Sequence, residues 1–213
     1  MKERWTKEQA WEWWNARPWP VGCNFVPSQT PVLSMWKEDT LEEMLPTLES
    51  EIALAASIGF NTVRIWFPFN HWYHEREIAL DRIDRVLDLF AKHGISVMPV
   101  LYNDCVSFGR PEKVVIHKPA PGHGHYDVGY HGGHKNSPHI VPPKDAIGWI
   151  LWDEEEYRPV CEQYLRDIFT RFGKDERILM WDMWNEPGNS KRGDMSIPYL
   201  RRAFEVAREC DPI

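Results

Sequence analysis

The stretch Gly59-Phe60-Asn61-Thr62-Val63-Arg64-Ile65-Trp66-Phe67 decides the fold. It is rich in β-branched and aromatic residues, and Pro68 stops it, which is the pattern of a strand. Gly59 suits the left-handed position just past a helix C-terminus. Only Phe60 and Asn61 separate that glycine from the strand, so a helix and a strand join through a short link. Side chains alternate between the faces of a strand. Val63 and Ile65 fall on one face, and Thr62, Arg64 and Trp66 on the other. With the apolar pair turned to helices, Arg64 points to the inside of the sheet. A buried guanidinium is expensive unless carboxylates pair with it. Arg64 is therefore expected to meet an acid from another strand, with Asp182 as the structural choice of partner.

Working outward, the same alternation repeats. Thr6 and Gln9 form a capping box for a short helix with Trp11, Trp13 and Trp14, stopped by Pro18 and expected to close the bottom of something larger. Pro20–Val26 reads as a short buried strand with Asn24 near its exit. Thr40 and Glu43 form a second capping box, and that helix runs to Ser57 with Leu48, Ile52, Ala55 and Ala56 on one face and Pro46 in its first turn. Beyond the deciding stretch, Ile78–His93 is a helix with Ile83, Val86, Leu87 and Phe90 on one face. Ile95–Tyr102 is a strand, although Pro99 lacks a ladder donor. A helix follows Asp153 and runs to Arg171, Ile178–Trp184 is a fourth strand, and a last helix from Ser196 ends at Asp211-Pro212.

Strand then helix, four times over with short links, predicts an α/β protein with a parallel sheet. A complete (β/α)8 TIM barrel takes about 250 residues, whereas this chain spends 213 on four units. The expectation is a single domain over residues 1–213: a half barrel of the first four β/α units, preceded by a short helix. An open doubly wound sheet is the other topology, but no Gly-rich phosphate loop follows the first strand. The connection from about residue 104 to 151 is too long for a plain link and is expected to be a lid or substrate wall.

Bulk composition narrows the function. The chain is 43% hydrophobic and 27% charged, enough for one core. Its net charge of -7 argues against a nucleic-acid partner. Four cysteines show no metal-ligand spacing. No apolar run approaches the roughly 18 residues of a membrane span, and the N-terminus has no secretion-type apolar segment. A soluble protein in the cytoplasm is the expectation, without a cofactor.

Chemistry concentrates at the end of the fourth strand, in Asn185-Glu186-Pro187. In a parallel barrel the carboxyl ends of strands carry the reacting groups. A carboxylate walled there by Trp181 and Trp184 would have its pKa raised by desolvation, as a general acid needs. The competing reading is a helix start with an acid in its first turn. Trp66, Trp72, Trp149, Trp181 and Trp184 suit either stacking on sugar C–H faces or core packing. Asn103 and Asp104, at the exit of the third strand, are placed for hydrogen bonds to hydroxyls, and so are His71 and His74 after the second. His117, His123, His125, His131, His134 and His139 lie in the long loop, and His123-Gly-His125 and His131-Gly-Gly-His134 have spacings that could ligate a metal, but a polar solvated loop is the better explanation and no metal site is assigned.

These residues resemble a family. Gly59–Ile65, His93–Pro99 and Trp184–Pro187 are similar to the second, third and fourth strands of retaining glycoside hydrolases of the (β/α)8 clan that includes family 5 cellulases and mannanases. Trp19–Phe25 resembles a bacterial subgroup labelled cellulase-like or xylanase-like. The resemblance covers essentially the whole chain, as the N-terminal half of such an enzyme. It implies an O-glycosyl hydrolase of carbohydrate metabolism acting on an oligosaccharide or polysaccharide. Glu186 would be the acid/base, Asn185 would bond the sugar 2-hydroxyl, and Arg64 would orient the nucleophile. Trp66, Asn103, Asp104, His71 and Asn24 would line the substrate. Tyr102-Asn103-Asp104 departs from the histidine usual at the third-strand exit, which leaves sugar preference open. The family's nucleophile comes from the seventh strand, outside this chain. The alternatives are a non-catalytic carbohydrate-binding half barrel, an inactive fragment and a histidine-ligated metal hydrolase. Bare edge strands also predict self-association.

Overall fold

The computed structural model describes residues 3–28, 36, 38–104, 150–189 and 191–212. The interior of the 104–151 connection, with its six histidines, Cys105 and Trp149, lies outside the described residues, and so do the lid and metal-ligand expectations placed on it. Three parallel strands form a sheet in sequence order: β1 (Gly22–Asn24), β2 (Thr62–Trp66) and β3 (Ser96–Val100). The register sets Asn24 beside Arg64, Arg64 beside Met98, and Trp66 beside Val100. Helix α1 is Lys7–Asn15, α2 is Glu38–Ser57, α3 is Phe69–His74, α4 is Arg76–Lys92, α5 is Arg158–Phe172 and α6 is Ile197–Cys210.

The alternation expected of β2 is realised. Val63 and Ile65 are each 1% exposed, whereas Thr62, Arg64 and Trp66 are half-buried. The buried pair joins Val97 in a single core with Leu48 and Ile52 of α2, Ile83, Val86, Leu87 and Phe90 of α4, and Tyr164, Leu165 and Ile168 of α5. Each such aliphatic or aromatic side chain contributes about 1.5–3 kcal/mol by burial. The helices thus cover one sheet face and leave the Arg64 face to the polar groups. Gly59 and Gly94 have φ of +97° and +71°, the left-handed turns that end α2 and α4.

The fourth strand is present in path but not as a continuous ladder. Residues 178–185 touch β3 through parallel bridges at Val97–Ile178, Val100–Asp182 and Asn103–Asn185. Pro99 explains the interruption. On this side of β3, Val97 donates to the Arg177 carbonyl and accepts from Leu179, and Pro99 should donate next. It has no N–H, so the Pro99 carbonyl accepts from Asp182 instead and one extra residue bulges out of the segment. Even-numbered β3 residues face β2, so the β2–β3 ladder is unharmed.

Several expectations are corrected. The first strand is three residues long and exposed throughout, because it is the sheet edge. A Cβ on Gly22 would lie 1.8 Å from the Thr62 carbonyl oxygen, so glycine is what lets that edge approach β2. Helix α1 has its capping box, but none of its residues is buried among the described residues. Thr40 does not start a helix and Pro46 does not lie in a first turn: α2 begins at Glu38 and runs through Pro46, losing only the bond from residue 46 back to residue 42. Pro68 ends β2 but also precedes α3, a short helix the sequence pattern did not show.

Candidate active site

The polar face of the sheet converges on Arg64. Its Nη1 donates to Asn24 Oδ1 of β1 at 3.0 Å. Its Nε and Nη2 donate to Asp182 Oδ2 at 2.8 and 2.5 Å, and Nη2 also donates to Asn185 Oδ1 at 2.7 Å. One rigid fork therefore ties β1, β2 and the fourth segment at their carboxyl ends, a geometry only a guanidinium provides. The inward arginine meets its acid, and that acid is Asp182. Asp182 is fixed in turn, with Oδ1 accepting from the Trp184 N–H at 3.0 Å.

This arrangement also orients Asn185. Arginine has no acceptor, so the amide must turn Oδ1 to Arg64 and Nδ2 away. Nδ2 donates to Asn103 Oδ1 at 2.8 Å, using one of its two hydrogens. The second hydrogen takes no part in these bonds. Trp66 lies beside the cluster, its ring centroid 5.0 Å from the Arg64 guanidinium carbon. Arg64→Lys keeps the charge but cannot span three acceptors. We expect it to lower stability by about 1–3 kcal/mol and to shift the Asn185 side-chain amide signals, read by urea titration and by NMR.

Glu186 follows at once. It is exposed, and its backbone sits at φ +48°, a left-handed conformation that costs an L-residue about 1–2 kcal/mol. The turn closes through Asn189 N–H to the Glu186 carbonyl at 3.0 Å, and Asn189 Nδ2 donates to Glu186 Oε2. The expected tryptophan walls are absent. Trp181 packs on Phe67 and Phe169 toward the helices, and Trp184 is buried among Tyr102 and Trp152. The bulge after Pro99 shifts the alternation by one residue and turns Trp181 to the helix side.

Asp104 and His71 are not at the mouth. Asp104 is 2% exposed and accepts from Trp184 Nε1 at 2.8 Å, Gly188 N–H at 2.7 Å and Ser196 Oγ. His71 is 1% exposed within α3, and His74 is exposed. Trp72 is also interior, its Nε1 donating to Asp167 at 2.9 Å. Tyr102 gives its hydroxyl to the Cys161 carbonyl at 2.8 Å, and burial raises its pKa well above the ordinary phenol range. Of the expected site residues, Asn24, Arg64, Asn103 and Asn185 form one connected group, with Trp66 against it and Glu186 next in the chain.

Arg192, Ser196 and Asp153 were missed. Arg192 has a fully buried side chain, pairs bidentately with Asp153 at 2.6 and 2.8 Å, bonds Ser196 Oγ at 3.0 Å, and lies 3.6 Å from Asp104. In sequence it sits in a Gly, Asn, Ser and Lys loop, and nothing there marks it as interior.

Comparison with known proteins places the fold. No protein-family model matches the chain, and no curated protein sequence matches it. Among solved structures, an exo-β-1,4-mannosidase from Opitutaceae bacterium strain TAV5 overlaps it with a TM-score of 0.59 at 20% identity, over 90% of this chain. A GH5_18 protein from Streptomyces cattleya, solved with Manβ1-4GlcNAc, overlaps with a TM-score of 0.41 at 14% identity over 88% of this chain. The chain spans 30% of the first protein's length and 42% of the second's. The α/β arrangement of β1 to β3 and the fourth segment is thus shared with part of the mannosidase.

Proposed function

We propose that this chain is the first half of a (β/α)8 glycoside hydrolase barrel, with Glu186 as acid/base of a retaining reaction on a β-linked glycan. The observation that carries this reading is the Asn24–Arg64–Asp182–Asn185 network at the carboxyl ends of the strands, ending in an exposed carboxylate held in a left-handed turn. Strained backbone at an exposed acid beside such a network supports a functional site. The second carboxylate is drawn from outside these 213 residues. Two carboxylates about 5–5.5 Å apart then divide the work. The nucleophile attacks the anomeric carbon while Glu186 gives its proton to the leaving oxygen. Glu186 next takes a proton from the water that cleaves the glycosyl-enzyme. Asn185 donates its remaining amide hydrogen to the neighbouring sugar hydroxyl.

The overlap with an exo-β-1,4-mannosidase makes β-mannosides the first substrates to test. With the half that supplies the nucleophile joined to this chain, hydrolysis of 4-nitrophenyl β-mannoside is the expected result, and β-1,4-mannobiose should shift the Asn185 side-chain amide in NMR. A second reading is favoured by one observation: Asp182 already neutralises Arg64 within this chain, so the network is complete as a glycan-binding surface. Mannobiose binding without turnover selects that reading, and neither binding nor turnover of β-linked glycans overturns both.

A further inference from the structure

Asp104 surrounds Glu186 without touching it. Its Oδ1 accepts from the Trp184 indole, two residues before Glu186. Its Oδ2 accepts from the Gly188 N–H, two residues after, and from Ser196 Oγ at the start of the next helix. Its own N–H donates to the Asn185 carbonyl at 3.1 Å. Both the entry and the exit of the Glu186 turn are therefore fastened to one carboxylate at the end of β3. That carboxylate is 2% exposed, with the buried Arg192 guanidinium 3.6 Å away.

A group so buried, with both oxygens already accepting, is poorly suited to bind a glycan hydroxyl. What it can do is hold a backbone in a conformation the backbone does not prefer. Glu186 at φ +48° and Gly188 at φ +92° are two left-handed residues separated only by Pro187. Left alone, the glutamate would relax toward the right-handed or extended regions. Charge-assisted bonds to an ionised carboxylate in a dry setting are strong enough to prevent that.

From these contacts we infer that Asp104 is the positioning residue for Glu186: its carboxylate holds the 184–188 turn in the left-handed form and so sets where the acid/base stands. The inference rests on the reading of Glu186 as acid/base for its meaning in catalysis, but its physical content can be tested without turnover. Ser196 is the auxiliary member, since its hydroxyl both donates to Asp104 and accepts from Arg192.

The test compares the full chain with Asp104→Asn and Ser196→Ala, following amide hydrogen exchange and the carbon-13 carboxyl resonance of Glu186 across pH. In Asp104→Asn, exchange at Gly188 and Asn189 should accelerate by about tenfold to a hundredfold, and the Glu186 resonance should move toward that of a free side chain as its Asn189 contact is lost. Amides of α2 and α4 should be unchanged. Ser196→Ala should give the same pattern severalfold weaker, which keeps the inference testable if Asp104→Asn does not fold. Unaltered Glu186 signals, or acceleration spread evenly over α2, α4 and the turn, would overturn it and leave Asp104 as a residue of the fold alone. If the chain joined to the half that supplies the nucleophile turns over no β-mannoside while these local effects appear, the glycosidase reading fails and the positioning stands.

Discussion

Glu186→Gln is expected to lower the turnover of a β-mannoside with a poor leaving group by about 10²–10⁴-fold, with little change in folding. Glutamine keeps the shape and can still accept from Asn189, but it has no proton to deliver to the leaving oxygen. The loss should therefore depend on the leaving group. The 2,4-dinitrophenolate of a 2,4-dinitrophenyl mannoside departs without protonation, so the glycosylation step on that substrate should be nearly spared. Equal losses on both substrates would contradict the assigned role. Glu186→Gly makes the complementary case. Glycine tolerates the φ of +48° that the glutamate holds under strain, so this variant should gain about 1 kcal/mol while losing turnover. A thermal melt and a rate assay on one preparation measure both. A residue that destabilises its own turn and is needed for the chemistry shows the trade expected of an active site.

How far the sequence led here depended on the signal each residue gave. The alternation in Thr62–Trp66 showed which face Arg64 would occupy, because Val63 and Ile65 left one choice. The apolar faces of the helices built on Leu48, Ile83 and Ile168 were legible for the same reason: burial follows period. What failed was the consequence of single prolines. A proline is expected to weaken its own strand, but the missing donor of Pro99 faces the neighbour, so the defect falls as a bulge in residues 178–182. That one displaced pleat turned Trp181 toward the helices and removed the wall expected around Glu186. Asp104 and His71 had the right residue types at strand ends, yet chain position alone cannot separate a side chain facing the mouth from one folded under it. Arg192 gave no signal at all, since its partners Asp153 and Asp104 are far away in sequence.

Arg192→Met should be the most destabilising change in the chain outside the apolar core. The side chain is fully buried and faces the buried Asp104 and the partly buried Asp153. Removing it leaves the solvent-excluded Asp104 without its cation and breaks the Asp153 pair, and breaking a buried pair typically costs about 3–5 kcal/mol. Methionine fills similar volume, so the loss reports on charge rather than on a cavity. Burial alone would raise the pKa of Asp153, but the Arg192 fork and the Ile150 N–H outweigh it and hold it below the ordinary range. The sign of the pH dependence follows. A carboxylate depressed in the folded state contributes stability above its unfolded pKa and loses that contribution as pH falls through the folded value. The gap between the parent chain and Arg192→Met should therefore be widest near neutral pH and narrow in acid. Urea midpoints at about pH 7 and about pH 3 measure it, and a gap that is constant or grows in acid would show that the Arg192 pairs do not hold this turn. The same variant tests how the site is built. With Arg192 gone, Asp104 keeps its bonds to Trp184, Gly188 and Ser196, so the Glu186 turn should loosen less than in Asp104→Asn while the whole chain unfolds more readily. Opposite orders of local and global effect in the two variants would separate the charge that stabilises the loop from the carboxylate that aims the acid.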